Sequence, residues 1–171
     1  MSFSPGRITR VLAVQPTTRG FGFAVMERPD GLIDWGTKEA RGDKNKQALI
    51  HLAALIGRYQ PEVLVFEDTE TKDSRRCARI RLLAQEIAQM AIKLRVRTRR
   101  IPRRLVKHAF AETGPTTKPW IAAAIASQFP ELSRHLPARR RPWMSQDVRM
   151  SIFDAVALAL THYGRIEVRE S

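Results

Sequence analysis

Three side chains in this sequence have the type and placement for phosphate chemistry. Glu67 ends the apolar run VLVFE, Asp154 sits inside the helical-looking run MSIFDAVALALTHY, and Gln15 ends the run VLAVQ. Carboxylates that converge from separate strand and helix ends can hold hard divalent cations, and two such cations can drive phosphodiester hydrolysis. Gln15 stands where a metal-dependent nuclease would want a further acid, and a neutral amide is the weaker ligand. The set points to a nucleic-acid-processing fold and, at the same time, to a ligand sphere with one member missing.

Those residues need elements to position them, and the pattern supplies a full set. ITRVLAVQ, FGFAVMER and LIDWGTKEA read as three strands, with Pro29-Asp30-Gly31 as turn chemistry between the last two. After Asp43 the period changes: Ala48, Leu49, Leu52, Leu55, Ile56 and Tyr59 recur at helical spacing, and Pro61 stops the helix. VLVF at 63–66 is short, continuous and apolar, as a buried central strand should be. A long helix follows with Ile80, Leu83, Ile87, Met90 and Leu94 on a core-facing stripe, and VRTRRI then reads as a fifth strand near an edge. Pro102 opens a helix through His108 that Gly114-Pro115 closes; another runs from about 118 to 129, and the last carries Asp154. The expected order is β-β-β-α-β-α-β-α-α-α. This is an α/β fold with a mixed five-stranded sheet, an antiparallel meander plus parallel strands, flanked by helices. The 171 residues are expected to form one domain, with its core over 8–163 and short polar termini.

Composition narrows the partner. Thirty Lys and Arg against seventeen Asp and Glu give a net charge of +13, which suggests a polyanion, nucleic acid first; the alternative is a basic protein with no such role. Cys77 is the single cysteine, so an intrachain disulfide and a multi-cysteine zinc site are excluded. His51, His108, His135 and His162 are scattered without metal-ligand spacing and read as surface or cap residues. No apolar run approaches membrane-spanning length, the N-terminus has no signal-like apolar segment, and the expected location is cytoplasmic.

Taken in order along the chain, the motifs resemble the RuvC-type Holliday junction resolvases of the ribonuclease-H-like superfamily. VLAVQPTTRGFGFAV is similar to their first-strand hairpin, where the strand ends in Asp-Pro ahead of a Gly-containing turn. VLVFED is similar to their second catalytic strand, PRRLVKHAFAETGPTTKPWIAAAI to their paired-lysine segment, and SIFDAVALALTHY to their last helix. The resemblance spans roughly residues 8 to 163. It implies a ribonuclease-H-like fold and a structure-selective endodeoxyribonuclease that hydrolyses Holliday junctions or other branched DNA, with Mg²⁺ or Mn²⁺ as cofactor and a homodimer as the working form. It assigns Glu67 and Asp154 as metal ligands and places Lys107 and Lys118 near the scissile phosphate, where an ordinary phosphate contact or a solvated side chain is the other reading. Gln15 replaces the aspartate that commonly bridges both metals, and Ser151 stands where a second acid or a histidine is frequent. Asp147, two turns before Asp154, is either a substitute ligand on the same helical face or the helix N-cap. Asp68 should point to the opposite face of its strand, and Glu70 lies in the loop beyond. That loop, DTETKDSRR, lacks the aromatic residue that family members use to open the junction centre.

DNA contact is also legible from the residues themselves. Arg75, Arg76, Arg79 and Arg81 crowd the start of the long helix, against its dipole, which suggests a phosphate partner, with a solvated basic end as the other reading. Arg139, Arg140 and Arg141, between Pro137 and Pro142, form a basic loop just ahead of the last helix, with Trp143 next in sequence. Trp120 is expected in the core. The rival to a nuclease is a non-catalytic nucleic-acid-binding module on the same fold, favoured by Gln15; an enzyme acting on RNA–DNA hybrids is a third option.

Overall fold

The computed structural model describes residues 9–70, 77–141, 143–144 and 147–170. The elements are β1 (Val11–Pro16), β2 (Gly20–Arg28), β3 (Gly31–Glu39), α1 (Lys44–Tyr59), β4 (Val63–Glu67), α2 (Ala78–Lys93), β5 (Arg97–Ile101), α3 (Arg103–Ala109), α4 (Lys118–Gln128) and α5 (Met150–Glu170), in the order expected. Short 3-10 turns at Ala111–Thr113 and Pro130–His135 flank α4. One sheet contains all five strands in the order β3-β2-β1-β4-β5. The β1–β2 and β2–β3 pairs are antiparallel, whereas β1–β4 and β4–β5 are parallel. β5 lies at an edge, as its arginines suggested. Among the described residues no helix is long and apolar enough to cross a membrane.

Side-chain alternation divides the sheet into two apolar faces. Leu12, Val14, Phe21, Phe23, Leu64 and Phe66 pack on one side with Leu52, Leu55 and Ile56 of α1 and Leu83 and Ile87 of α2. Val11, Ala13, Ala24, Met26, Val63 and Val65 pack on the other with Val106, Ile121, Ile125, Phe153, Val156 and Leu158 from α3, α4 and α5. α5 is buried almost all round over its first fourteen residues, because it lies between the sheet and α4.

Local chemistry fixes the helix ends. Asp43 caps α1 by accepting from the Lys46 backbone N–H at 3.2 Å. Gln60 closes the same helix in a left-handed conformation (φ 47°) ahead of Pro61. Leu94 departs from the sequence reading: it is the residue that ends α2 and is exposed, so the core stripe stops short of it. His162 departs too, since it is buried on α5, where Nδ1 lies 2.9 Å from Arg99 Nη1 of β5. An even alternation along β5 puts Arg99 on the face that α5 covers, and this pairing is what holds the imidazole inside. Near the same end of α5, the Tyr163 hydroxyl lies 2.8 Å from the Thr9 carbonyl oxygen and 3.0 Å from that of Met26.

Candidate active site

β1 and β4 run parallel, and their carboxyl ends lie side by side, the place where open α/β sheets hold ligands. Gln15 follows Val14 and Glu67 follows Phe66, and Val14 and Phe66 are register partners. Alternation therefore turns both side chains to the α5 face, and the Gln15 amide Nε2 donates to Glu67 Oε2 at 3.3 Å. Gln15 is only 5% exposed. Asp154 reaches the same face from the second turn of α5 and is itself buried. Lys118, the first residue of α4, donates Nζ to Asp154 Oδ2 at 3.3 Å.

Close approach of α5 to the sheet makes this arrangement possible. Gly22 faces Gln15 across the β1–β2 ladder, and a Cβ there would lie 2.2 Å from Ser151 Oγ and 2.5 Å from the Ser151 carbonyl carbon. Only glycine lets the first turn of α5 press on β2, one turn from Asp154. Ser151 Oγ donates to the Val148 carbonyl at 2.6 Å, so the small side chain also satisfies the start of the helix.

A cleft of about 600 Å³ opens beside Gln15, Lys118 and Asp154, with Glu67 behind Gln15 and not itself among the lining residues. Its walls are the end of β1 with the turn Thr17-Thr18-Arg19, Lys118 of α4, and the approach to α5 with Asp147, Val148, Ser151 and Asp154. Asp147 does line this cleft with Asp154, and it caps the approach to α5: its side chain accepts from the Arg149 backbone N–H and its carbonyl accepts from the Met150 N–H. α5 begins at Met150, so Asp147 stands ahead of the helix and not on its face, and its carboxylate is also held by the Arg149 side chain. Arg149 donates its backbone N–H to Oδ1 at 2.9 Å and Nη2 to Oδ2 at 2.7 Å, which holds the Asp147 carboxyl below the usual carboxylate range.

The other expected residues divide. Lys107 is exposed on α3 and is not among the residues that line the cleft. Arg79 serves the turn beside the cleft: Nη2 donates to the Thr17 carbonyl at 3.3 Å and Nη1 to Asn45 Oδ1 at 3.1 Å. Arg75 and Arg76 lie outside the described residues. Arg139, Arg140 and Arg141 are exposed, and the Arg141 guanidinium lies 5.5 Å from the centre of the Trp143 ring. Trp120 is 59% exposed and not in the core; on α4 it lies opposite the buried stripe Ile121, Ala122, Ile125. Asp68 extends the β4–β5 pairing through its backbone N–H to the Ile101 carbonyl, and Glu70 accepts from Gln85 of α2. Neither lines the cleft. Sequence reasoning missed Arg19 as a cleft residue; its only signal is its place in the turn directly after Gln15.

No family model matches this chain, and no curated protein sequence matches it. Solved structures do. The chain is similar to Thermus thermophilus RuvC, with a TM-score of 0.64 at 20% identity over 93% of this chain and 97% of that one. The same protein in complex with a Holliday junction substrate gives 0.62 at 19% identity, over 92% and 96%. The yeast mitochondrial Holliday junction resolvase Ydc2 gives 0.66 at 8% identity, over 95% and 80%. The five-stranded mixed sheet with its flanking helices is thus the RuvC and ribonuclease-H-like fold.

Proposed function

We propose that this chain is a divalent-metal-dependent endodeoxyribonuclease that cleaves Holliday junctions or other branched DNA by phosphodiester hydrolysis. One observation carries the reading: Glu67 and Asp154, from a strand end and a buried helix, flank Gln15 and Lys118 at the carboxyl edge of a RuvC-like sheet. The donor types suit a hard cation. Two carboxylates and the Gln15 amide carbonyl are oxygen ligands of the kind Mg²⁺ or Mn²⁺ takes, with water completing the shell. Among the described residues no group of three or more His, Cys, Asp or Glu is placed to hold a metal. A cation held there would supply a more acidic water and positive charge beside the phosphate.

The protein's own groups do the rest. Lys118 offers its ammonium to the phosphoryl oxygens on which charge develops. Arg19 and the Thr17-Thr18 turn bind the strand beside the scissile phosphate, and Arg139, Arg140 and Arg141 hold phosphates farther out. Two symmetric cuts need two sites, so a homodimer belongs to this reading.

A second reading has its own support. Glu67 already receives the Gln15 amide and Asp154 already receives Lys118, so the acids have protein partners without a cation. On that ground the chain is a DNA-binding module that does not cut. Cleavage of a labelled four-way junction and a linear duplex in Mn²⁺ separates the two. The nuclease reading expects cleavage to appear or rise sharply in Gln15→Asp, and to vanish when Glu67→Gln is added. Junction binding with no cleavage in either form leaves the binding module.

A further inference from the structure

We propose that Trp143 stacks on an unpaired base beside the cleft, and that this contact makes the protein prefer DNA with unstacked bases to intact duplex. The inference rests on the DNA reading of the cleft and adds the feature that selects the substrate. Trp143 is 76% exposed, with Met144 (50%) next to it and Val148 (37%) on the cleft wall. An indole this open has a free face for another flat ring. The segment is anchored at Asp147 and Val148, both of which line the cleft. Three residues separate Trp143 from Asp147, and the four steps between them can span at most ~14 Å. The ring therefore stands within a few nucleotides of a phosphate at Lys118, at ~3.4 Å per stacked nucleotide.

The surroundings select the occupant. The Arg141 guanidinium stands over the Trp143 ring at 5.5 Å, and Arg139 and Arg140 are exposed just before it. An aromatic face beside guanidinium groups suits a base on the ring and phosphates on the cations, and it suits any base because every base has a π-face. Intact duplex has its bases stacked on one another and offers the ring nothing. Trp120, exposed on the outer side of α4, provides the internal control, because Lys118 lies on the inner side of that helix. Trp35, the third tryptophan, packs against the core.

The test is equilibrium binding, by fluorescence anisotropy in metal-free buffer, to an intact duplex and to the same duplex with an internal unpaired loop. The full chain is compared with Trp143→Ala, Trp143→Phe and Trp120→Ala. Trp143→Ala should weaken binding to the looped DNA on the order of tenfold and binding to the duplex by about twofold or less. Trp143→Phe should keep most of the affinity, and Trp120→Ala should match the wild type on both. 2-Aminopurine in the loop should change its emission on binding to the wild type and not on binding to Trp143→Ala. Equal losses on both DNAs, or no loss on either, would overturn the stacking contact while leaving DNA binding in place. A wild-type chain that binds neither DNA at low salt would remove the DNA reading and the stacking with it.

Discussion

Gln15 and Glu67 share a hydrogen bond where two carboxylates would repel, and that single exchange has consequences apart from catalysis. Replacing Gln15 by Asp removes the donor and sets a second acid beside Glu67. Without metal, Gln15→Asp should lose about 1–3 kcal/mol of stability, read from denaturant unfolding. Mn²⁺ should restore it and should raise the melting temperature more than in the wild type, because only the native state binds the ion. His162 offers a test at the other end of α5. Burial, with Arg99 and Arg97 adding to it, lowers its pKa from 6.5 to about 4. The unfolded chain therefore takes up a proton that the folded one refuses, and stability should fall as pH drops from 6.5 toward 4 and level off below. Titration of the His162 ring by NMR checks the value, and His162→Gln should flatten that part of the profile. Asp147 acts in a lower window: Arg149 depresses its pKa from 3.8, so its contribution is present above that value and is lost as pH falls below it.

The alternation of apolar residues made the strands readable, and it also turned Gln15 and Glu67 to one face, since both fall on the odd positions that carry Ala13 and Val65. Helix ends were less readable where side chains compete for the backbone. Spacing left Asp147 open between the helical face and the cap; α5 starts only at Met150, and Asp147 accepts from the Arg149 and Met150 backbone N–H groups ahead of it. Trp120 looked like core by type alone, but α4 has enough Ala and Ile on its inner stripe to close the face without it. Tertiary contacts such as Arg79 to Thr17 join residues 62 apart and leave no local pattern to read. The Gly22–Ser151 contact tests the packing of α5 directly. Gly22→Ala should destabilise the fold by about 1–3 kcal/mol or more through overpacking. Adding Ser151→Gly should not rescue it, because the backbone carbonyl carbon stays 2.5 Å from the new Cβ.

For the whole molecule, a net charge of +13 makes affinity for DNA steeply dependent on salt. Reversing charge with Lys118→Glu should weaken binding to junction and duplex alike and make the salt dependence shallower, unlike the selective loss expected at Trp143. Light scattering with and without junction DNA tests the dimer. One face of the sheet is also closed from far along the chain. α5 covers the face of the sheet formed by Val11, Ala13, Ala24, Met26, Val63 and Val65, and Tyr163 ties it to the Thr9 carbonyl, 154 positions back. Until α5 has been made, a growing chain exposes that apolar face and holds Glu67 and Gln15 without Asp154. A chain cut short before α5 is thus both aggregation-prone and unable to assemble the cleft.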